Sequence, residues 1–218
     1  MALAIFDLDH TLLSGDSDHT WGQFMVDQAI VEPEHHKKQN DYFYEQYKAG
    51  CLDIHEYLAF TLKPLSEQPL DKMQALREQF LQDHIQPLVT EKARQLIQQH
   101  KEQGDDLLII TATNAFVTRP IGDMLGIEEL IAPEPEMIDG AYTGGIVGIP
   151  SFQHGKVTRL NEWLEQHGKT LAGAWFYSDS HNDLPLLEIV DNPVAVDPDD
   201  ILRDTAISKG WPVISLRD

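Results

Sequence analysis

The sequence predicts an α/β protein with a doubly wound, mostly parallel sheet and an all-helical domain inserted after the first strand. Short apolar runs alternate with helical patterns over most of the chain, which is typical of strands buried on both faces of a parallel sheet. Residues 14–85 break this alternation, because they contain helical patterns and no convincing strand. We therefore expect a core domain formed by residues 1–13 and 86–218, and a helical domain formed by residues 14–85.

The first predicted strand is ALAIF at residues 2–6, an apolar run that ends at Asp7. Similar runs predict the remaining strands, at 106–113, 173–179 and 192–197, with a weaker one at 211–216. Helical patterns between such strands favour right-handed crossovers. In sheets of this kind, binding and chemistry take place beyond the carboxyl ends of the strands.

Glycines mark the ends of two predicted helices, at 89–104 and 152–168, as expected of helix C-caps. A different pattern, MIDGAYTGGIVG, lies at 137–148. It predicts a β-hairpin with Asp139 and Gly140 at its turn.

Charge and cysteine content narrow the class of protein. Thirty-six acidic and 16 basic residues give a formal net charge of -20, which argues against nucleic acid and anionic membranes as partners. Cys51 is the single cysteine, so no intrachain disulfide is possible and a reducing compartment fits. The N-terminal run lacks a signal-peptide pattern, and no apolar stretch approaches the ~20 residues of a membrane span. We therefore expect a cytoplasmic protein.

Polar side chains that suit phosphate chemistry stand where predicted strands end or a helix begins. The four motifs are Asp7 and Asp9 in FDLDHT, Thr111 at the end of LLIIT with Ala112 after it, Lys156 early in a helix, and Asp179 and Asp183 in YSDSHND. Because the carboxyl ends of parallel strands meet at one edge, we expect these residues to form one site.

Three of these carboxylates, Asp7, Asp179 and Asp183, cannot all stay ionised side by side without a cation. Two unit charges about 4 Å apart interact by roughly 4 kcal/mol at an effective dielectric of 20. Hard oxygen ligands of this kind suit Mg²⁺. With a lysine and a hydroxyl to hold phosphate oxygens, the site would transfer a phosphoryl group through an aspartyl-phosphate.

A second carboxylate two residues after Asp7 explains the Asp-x-Asp pattern. Asp9 can reach the same space, donate a proton to the leaving alcohol, and later take one from the attacking water. One carboxylate would attack while its neighbour transfers the proton.

The four motifs, in this order, resemble those of the haloacid dehalogenase-like (HAD) phosphatases, in particular subfamily IB, the phosphoserine phosphatase-like branch. The resemblance runs over the whole chain and implies a HAD-like Rossmannoid core with a type 1 cap at residues 14–85. It implies Asp7 as nucleophile and Asp9 as acid/base. It further implies Mg²⁺ bound by the Asp7 side chain, the Asp9 backbone carbonyl and Asp179, with Asp183 acting through water, and phosphate bound by Thr111, the Ala112 backbone N–H and Lys156.

Other chemistries of this superfamily fit less well. Dehalogenases do not keep a second aspartate at the position of Asp9. Transport ATPases have a lysine where this chain has Leu8, and they span membranes. Simpler explanations also remain for single residues: Thr111 and Asp183 can cap helices, and Asp16 can be a turn residue.

The substrate is indicated by the helical domain. Asp16 stands five positions after Thr11, the spacing at which phosphoserine phosphatases carry the acid that holds the substrate's amino group. Their cap arginine, which holds the carboxylate, aligns near Thr61, where Lys63 is the closest cation; the first arginine is Arg77. Lysine is a poor replacement in a bidentate clamp. We therefore expect a small amino-alcohol phosphate without a carboxylate.

The longer pattern, DLDHTLLSGDSDHTWGQF with IITATN and FYSDSHNDLPLLE, is similar to HAD-type histidinol-phosphatases, which implies histidinol phosphate as the substrate. Aromatic residues at 42–44 and 47 could stack on an imidazole, although aromatics at helical spacing more often belong to the core. The alternatives are a phosphoserine phosphatase, a phosphotransferase or mutase with the same aspartyl-phosphate chemistry, and a catalytically silent binding protein. The sequence does not define the oligomeric state.

Overall fold

A computed structural model describes residues 2–217. The strands are β1 (Leu3–Phe6), β2 (Asp106–Ile110), β3 (Glu129–Ile131), β4 (Glu134–Ile138), β5 (Ala141–Val147), β6 (Trp175–Ser178), β7 (Asn192–Val196) and β8 (Val213–Ile214). The α-helices are α1 (Ser17–Asp27), α2 (Pro33–Lys48), α3 (Ile54–Glu67), α4 (Leu70–Phe80), α5 (Glu91–Gln103), α6 (Ala115–Leu125), α7 (His154–His167), α8 (Leu184–Leu187) and α9 (Asp200–Lys209).

Six strands form one parallel sheet in the order β3-β2-β1-β6-β7-β8. The order reverses beside β1, since the chain goes to β2 on one side and to β6 on the other. Such a reversal opens a crevice at the carboxyl ends of the two flanking strands. The predicted α/β class with a parallel sheet is therefore confirmed.

Both faces of β1 are buried, which explains its uninterrupted apolar sequence. Ala4 and Phe6 pack into the hydrophobic cluster on the side of α5 and α6. Leu3 and Ile5 pack into a second cluster, on the side of α7, α8 and α9. A strand covered on both sides holds its last residue, and the aspartate that follows it, in a rigid position.

The hairpin β4–β5 is confirmed, with Asp139 and Gly140 between its antiparallel strands. Both turn residues have positive φ, 52° and 81°, as two-residue hairpin turns require. The hairpin packs against α3. The sequence analysis does not predict β3, and it predicts a longer last strand than the two residues of β8.

Between β1 and α5, the longer elements are the helices α1 to α4. We call residues 14–85 the cap; this division from the core remains a prediction. Trp21 of α1 contacts Phe80 and Phe116, with ring centroids 5.1 and 6.0 Å apart, so the cap shares a hydrophobic cluster with β1 and α6. Among residues 2–217, no helix is long and apolar enough to cross a membrane.

Candidate active site

Three adjacent strands deliver polar residues to one edge of the sheet. Asp7 follows β1, Thr111 follows β2 and Asp179 follows β6. The N–H of Asp7 donates to the carbonyl of Tyr177 at 2.9 Å, which extends the β1–β6 pairing by one residue. The N–H of Thr111 donates to Ile131 at 3.0 Å. These side chains are therefore positioned by the sheet itself.

A tight turn at residues 8–12 follows Asp7 and returns the chain to the sheet edge. It contains His10, whose φ is 54°, a left-handed conformation that is uncommon outside glycine. Thr11 ties the turn to β6: its hydroxyl donates to Oδ1 of Asp179 at 3.1 Å and accepts from the Asp179 N–H at 3.1 Å. The turn thus fixes the position of Asp179 relative to Asp7.

Lys156 reaches the site from the first turn of α7. The chain enters this helix so closely that a Cβ at Gly155 would lie 2.1 Å from the carbonyl oxygen of Pro150, so only glycine fits there. Nζ of Lys156 lies 2.7 Å from Oδ1 of Asp7, and 2.7 and 2.8 Å from the two oxygens of Asp183. Ser178 donates to Oδ2 of Asp183 at 2.7 Å. The lysine thus bridges two buried carboxylates.

Burial is the largest influence on the pKa values of Asp7, Asp179 and Lys156. Burial raises the pKa of Asp7 to about 7, against the lowering effect of Lys156. Burial, followed by the charges of Asp7 and Asp183, also raises the pKa of Asp179 well above its usual range. Burial opposes the charged form of Lys156, but Asp183 and Asp7 still raise its pKa above the ordinary value. The site thus holds more negative charge than its lysine balances.

Asp9 lies between the cap and the loop after β2. It accepts the Ser17 N–H at 2.5 Å and the Thr113 hydroxyl at 2.8 Å. Burial, together with the charge of Asp16, raises the pKa of Asp9 to about 6. A carboxyl group that titrates this close to neutrality is suited to both donating and accepting a proton.

The donor set fits Mg²⁺. Within residues 2–217, no group of three or more His, Cys, Asp or Glu side chains lies together as a metal site. Asp7 and Asp179 are the two strand-end carboxylates whose charges repel, and a cation between them would relieve that repulsion. Mg²⁺ is often held by one or two carboxylates and keeps several waters. Asp183 contacts Lys156 and Ser178, so its role and that of the Asp9 carbonyl in metal binding stay predictions.

Most predicted site residues line one cavity of about 60 Å³ between core and cap. The core side contributes Asp7, Asp9, Thr111, Ala112, Lys156 and Asp183. Thr111 is buried and accepts from the Thr113 N–H at 3.1 Å, while its own proton has no acceptor within residues 2–217. Asp179 borders a neighbouring cavity of about 480 Å³ that shares His10, Tyr44 and Tyr47 with the first. The structure therefore brings these residues together, while their catalytic roles stay predictions.

The cap side of the cavity is acidic and aromatic. It includes Asp16, Asp18, His19, Asn40, Phe43, Tyr44, Tyr47 and Tyr57. The cavity has one lysine, Lys156, and no arginine among its described lining residues. Thr61 and Lys63 do not line it, and Arg77 donates instead to the carbonyl of Phe116. Of the predicted aromatic group, Tyr42 is 52% exposed and lies outside the cavity.

Asp16, the acid predicted for the substrate's amino group, caps α1. Its Oδ1 accepts the His19 N–H at 2.8 Å, which is the standard contact of an N-cap aspartate. Asp18, which the sequence analysis missed, is the more deeply buried acid. Its Oδ2 accepts the Tyr57 hydroxyl at 2.8 Å, and Oδ1 has no hydrogen-bond partner within residues 2–217.

Two further residues missed by the sequence analysis dock the cap onto the core. Asn182 donates to the carbonyl of Tyr47 at 3.1 Å, and Gln153 donates to that of Gly50 at 3.2 Å. Gln153 also donates to Oδ1 of Asn182 at 2.9 Å. Asn182 could have been found from the sequence because it lies within the SDSHND motif. Gln153 lies in no motif, so no sequence pattern indicates its role. These contacts close the cavity at the C-terminal end of α2.

A parallel sheet with a buried aspartate at its switch point, a buried lysine beside it and helices over the crevice is an arrangement that suits the binding of phosphate esters. Residues 4–188 match the family model of haloacid dehalogenase-like hydrolases. The chain belongs to this family, and within it the chain is a phosphatase.

Several known proteins are similar to this chain in sequence or in fold. A histidinol-phosphatase of Neisseria meningitidis serogroup C (strain 8013) is 43% identical, and the alignment covers 99% of both chains. A solved structure of a protein with unknown function from Bordetella pertussis Tohama I has a TM-score of 0.93 at 42% identity, over 99% of both chains. A substrate-bound phosphoserine phosphatase has a TM-score of 0.70 at 18% identity, over 99% of this chain and 93% of that one; it shares the fold.

Replacing Asp18 by asparagine should stabilise the protein increasingly as pH rises. Burial, with the charge of Asp16, raises the folded pKa of Asp18 from 3.8 to about 8. The folded state therefore keeps a proton that the unfolded state releases, so this contribution to stability is present below about pH 4 and is lost as pH rises through about 8. Asparagine does not titrate. Since 1 kcal/mol shifts Tm by about 2–4 °C in a domain of this size, several degrees are expected.

The measurement is Tm by scanning fluorimetry at about pH 4 and about pH 8, expressed as variant minus wild type. The matched control is Asp27→Asn, an exposed aspartate on the same helix, for which the difference should stay flat. A gain for Asp18→Asn that is equal at both pH values would contradict the prediction.

Proposed function

We propose that this protein is a Mg²⁺-dependent histidinol-phosphatase that works through an aspartyl-phosphate on Asp7. The observation that carries the substrate assignment is the 43% identity, over 99% of both chains, to a protein named histidinol-phosphatase. The contact of Asp7 with Lys156 at 2.7 Å, with Asp9 in the same cavity, supports the chemistry.

In the first step, Oδ2 of Asp7 attacks phosphorus while Lys156 holds Oδ1. A bond forms between this carboxylate and phosphorus, and the bond from phosphorus to the ester oxygen breaks. Asp9 gives its proton to that oxygen, so the product leaves as a neutral alcohol. The Thr111 hydroxyl and the Ala112 N–H hold the phosphoryl oxygens as charge develops on them.

Mg²⁺, held by Asp7 and Asp179 with the Asp9 carbonyl, would supply positive charge to the phosphoryl oxygens. In the second step, water attacks phosphorus and Asp9 takes a proton from it. The bond between phosphorus and Asp7 breaks, inorganic phosphate leaves, and both aspartates return to their starting states. Asp9 can serve in both directions because its pKa is raised to about 6, close to neutral pH.

The cap side of the cavity supports an amino-alcohol phosphate over an amino-acid phosphate. It presents Asp16 and Asp18 and no arginine or lysine among its described residues, so a substrate carboxylate would find no cationic partner there. Phe43, Tyr44 and Tyr47 line the same wall, and aromatic faces suit the imidazole ring of histidinol phosphate.

Asp7→Asn should lower phosphate release by roughly 10³-fold or more, because the amide oxygen is a poor nucleophile. Lys156 keeps its partner Asp183 in this variant, so the fold should be retained and Tm can verify it. The control is Asp71→Asn, an exposed cap residue. Turnover by folded Asp7→Asn at more than a tenth of the wild-type rate would exclude the aspartyl-phosphate route.

Chelation with EDTA should abolish activity and added Mg²⁺ should restore it. Mg²⁺ should also raise the Tm of the wild type, because a ligand that binds only the folded state stabilises it. Asp179→Asn should lose most of this Mg²⁺-dependent Tm shift, whereas Asp71→Asn should keep it. An equal Mg²⁺ shift in Asp179→Asn and wild type would remove Asp179 from the metal site.

Histidinol phosphate should exceed phosphoserine in kcat/KM by roughly 10²-fold or more, since the phosphoserine carboxylate would be buried against this wall without a cationic partner. Phosphate release from both esters, measured with one enzyme preparation, gives the ratio directly. A preference for phosphoserine would overturn the substrate assignment while leaving the phosphatase assignment intact.

A further inference from the structure

Asp18 is a buried carboxylate that the reaction steps above do not use. It is 5% exposed and lines the cavity from the first turn of α1. Its Oδ2 accepts the Tyr57 hydroxyl at 2.8 Å, whereas Oδ1 is buried without a hydrogen-bond partner within residues 2–217. Burying an unpaired carboxylate oxygen is costly for folding, so its presence at the cavity requires a reason.

The position of Asp18 relative to the phosphate end supplies that reason. Lys156, Thr111 and Asp7 lie on the core side of the cavity, and Asp18 lines the cap side. A substrate whose phosphate contacts the core side must place its remaining atoms against the cap. The cap side carries no lysine or arginine among its described lining residues. Its chemical complement is a cation with hydrogen-bond donors.

We infer that Oδ1 of Asp18 binds the cationic nitrogen of the substrate, and that Tyr57 is a positioning residue that holds Asp18 in place. This inference rests on the proposed function and names the residue that selects amine-bearing phosphate esters. The nitrogen is the primary ammonium group in preference to the imidazole. Amino groups are protonated at neutral pH, whereas an imidazole has an ordinary pKa near 6.5 and is mostly neutral.

Asp16 and His19, on the same wall, already have hydrogen-bond partners within the cap. Asp16 uses Oδ1 to cap α1 through the His19 N–H, and the His19 ring contacts the Asn40 amide at 3.0 Å. Asp18 is the acid on this wall that has a buried oxygen without a hydrogen-bond partner within residues 2–217. The hydroxyl of Tyr57 fixes its orientation from α3, the next wall of the cap.

The test compares kcat/KM for histidinol phosphate with that for p-nitrophenyl phosphate, which carries no amine. Asp18→Asn should lower this ratio on the order of 10–100-fold, the effect of losing a hydrogen bond between charged groups. Tyr57→Phe should lower it by roughly 3–10-fold through a higher KM for the amine-bearing ester. Asp27→Asn, on the exposed part of the same helix, should keep the wild-type ratio.

Two further substrates identify the nitrogen. 2-Aminoethyl phosphate has the amine without the ring, and 2-(imidazol-4-yl)ethyl phosphate has the ring without the amine. Asp18→Asn should lower kcat/KM for 2-aminoethyl phosphate and should leave kcat/KM for 2-(imidazol-4-yl)ethyl phosphate unchanged. Sensitivity that follows the ring would overturn the assignment of the ammonium group.

The outcomes separate this inference from the proposed function. A ratio within twofold of wild type in folded Asp18→Asn, or a loss in Asp16→Asn instead, would overturn the assignment to Asp18 alone. A wild type that prefers another amine-bearing ester to histidinol phosphate, with that preference lost in Asp18→Asn, would overturn the proposed substrate and support the Asp18 site. A wild type with no preference for amine-bearing esters would overturn both.

Discussion

Uncompensated negative charge at the carboxyl edge of the sheet is the constraint on which the rest of the structure depends. The topology places Asp7 and Asp179 on neighbouring strands, and burial makes their ionised forms costly. Lys156 offsets part of that cost by contacting Asp7 and Asp183. Removing the lysine would leave both carboxylates buried without a cation, which is strongly destabilising. Gly155 allows α7 to start against Pro150 and so places Lys156 beside the carboxylates. This glycine therefore matters for both stability and chemistry.

The cap is attached to the core in two chemically different ways. On the α1 and α4 side, Trp21 and Phe80 join the hydrophobic cluster that includes Phe6 of β1. At the end of α2, polar contacts from Asn182 and Gln153 to backbone carbonyls accompany a small apolar cluster that includes Phe43 and Phe152. Polar contacts of this kind exchange readily with water, whereas apolar packing does not. The apolar cluster at the α2 end is much smaller than the one that holds α1 and α4, so the two ends of the cavity of about 60 Å³ are closed by unequal amounts of apolar packing.

Sequence reasoning succeeded where local pattern and chemistry coincide. The apolar run before Asp7 predicts β1, and parallel topology then brings Thr111 and Asp179 to the same edge. Features that depend on tertiary structure alone could not be predicted from the sequence. Three residues of β3 are too short for a pattern. An aspartate such as Asp18 in the first turn of α1 looks like an ordinary favourable charge at a helix N-terminus. Only its burial beside Tyr57 distinguishes it from a solvated residue.

Asp16 shows how a sequence pattern and a structural role can differ. An acid at a set distance from Thr11 satisfies a spacing rule, but spacing does not say what the carboxylate contacts once α1 has formed. The helix needs an N-cap and Asp16 provides it, which commits one of its oxygens to the backbone. Asp18, unlike Asp16, does not stabilise the helix through such a contact. Burial raises its pKa and leaves one of its oxygens without a hydrogen-bond partner within residues 2–217. Buried polar groups that make folding less favourable are expected at sites where function depends on them.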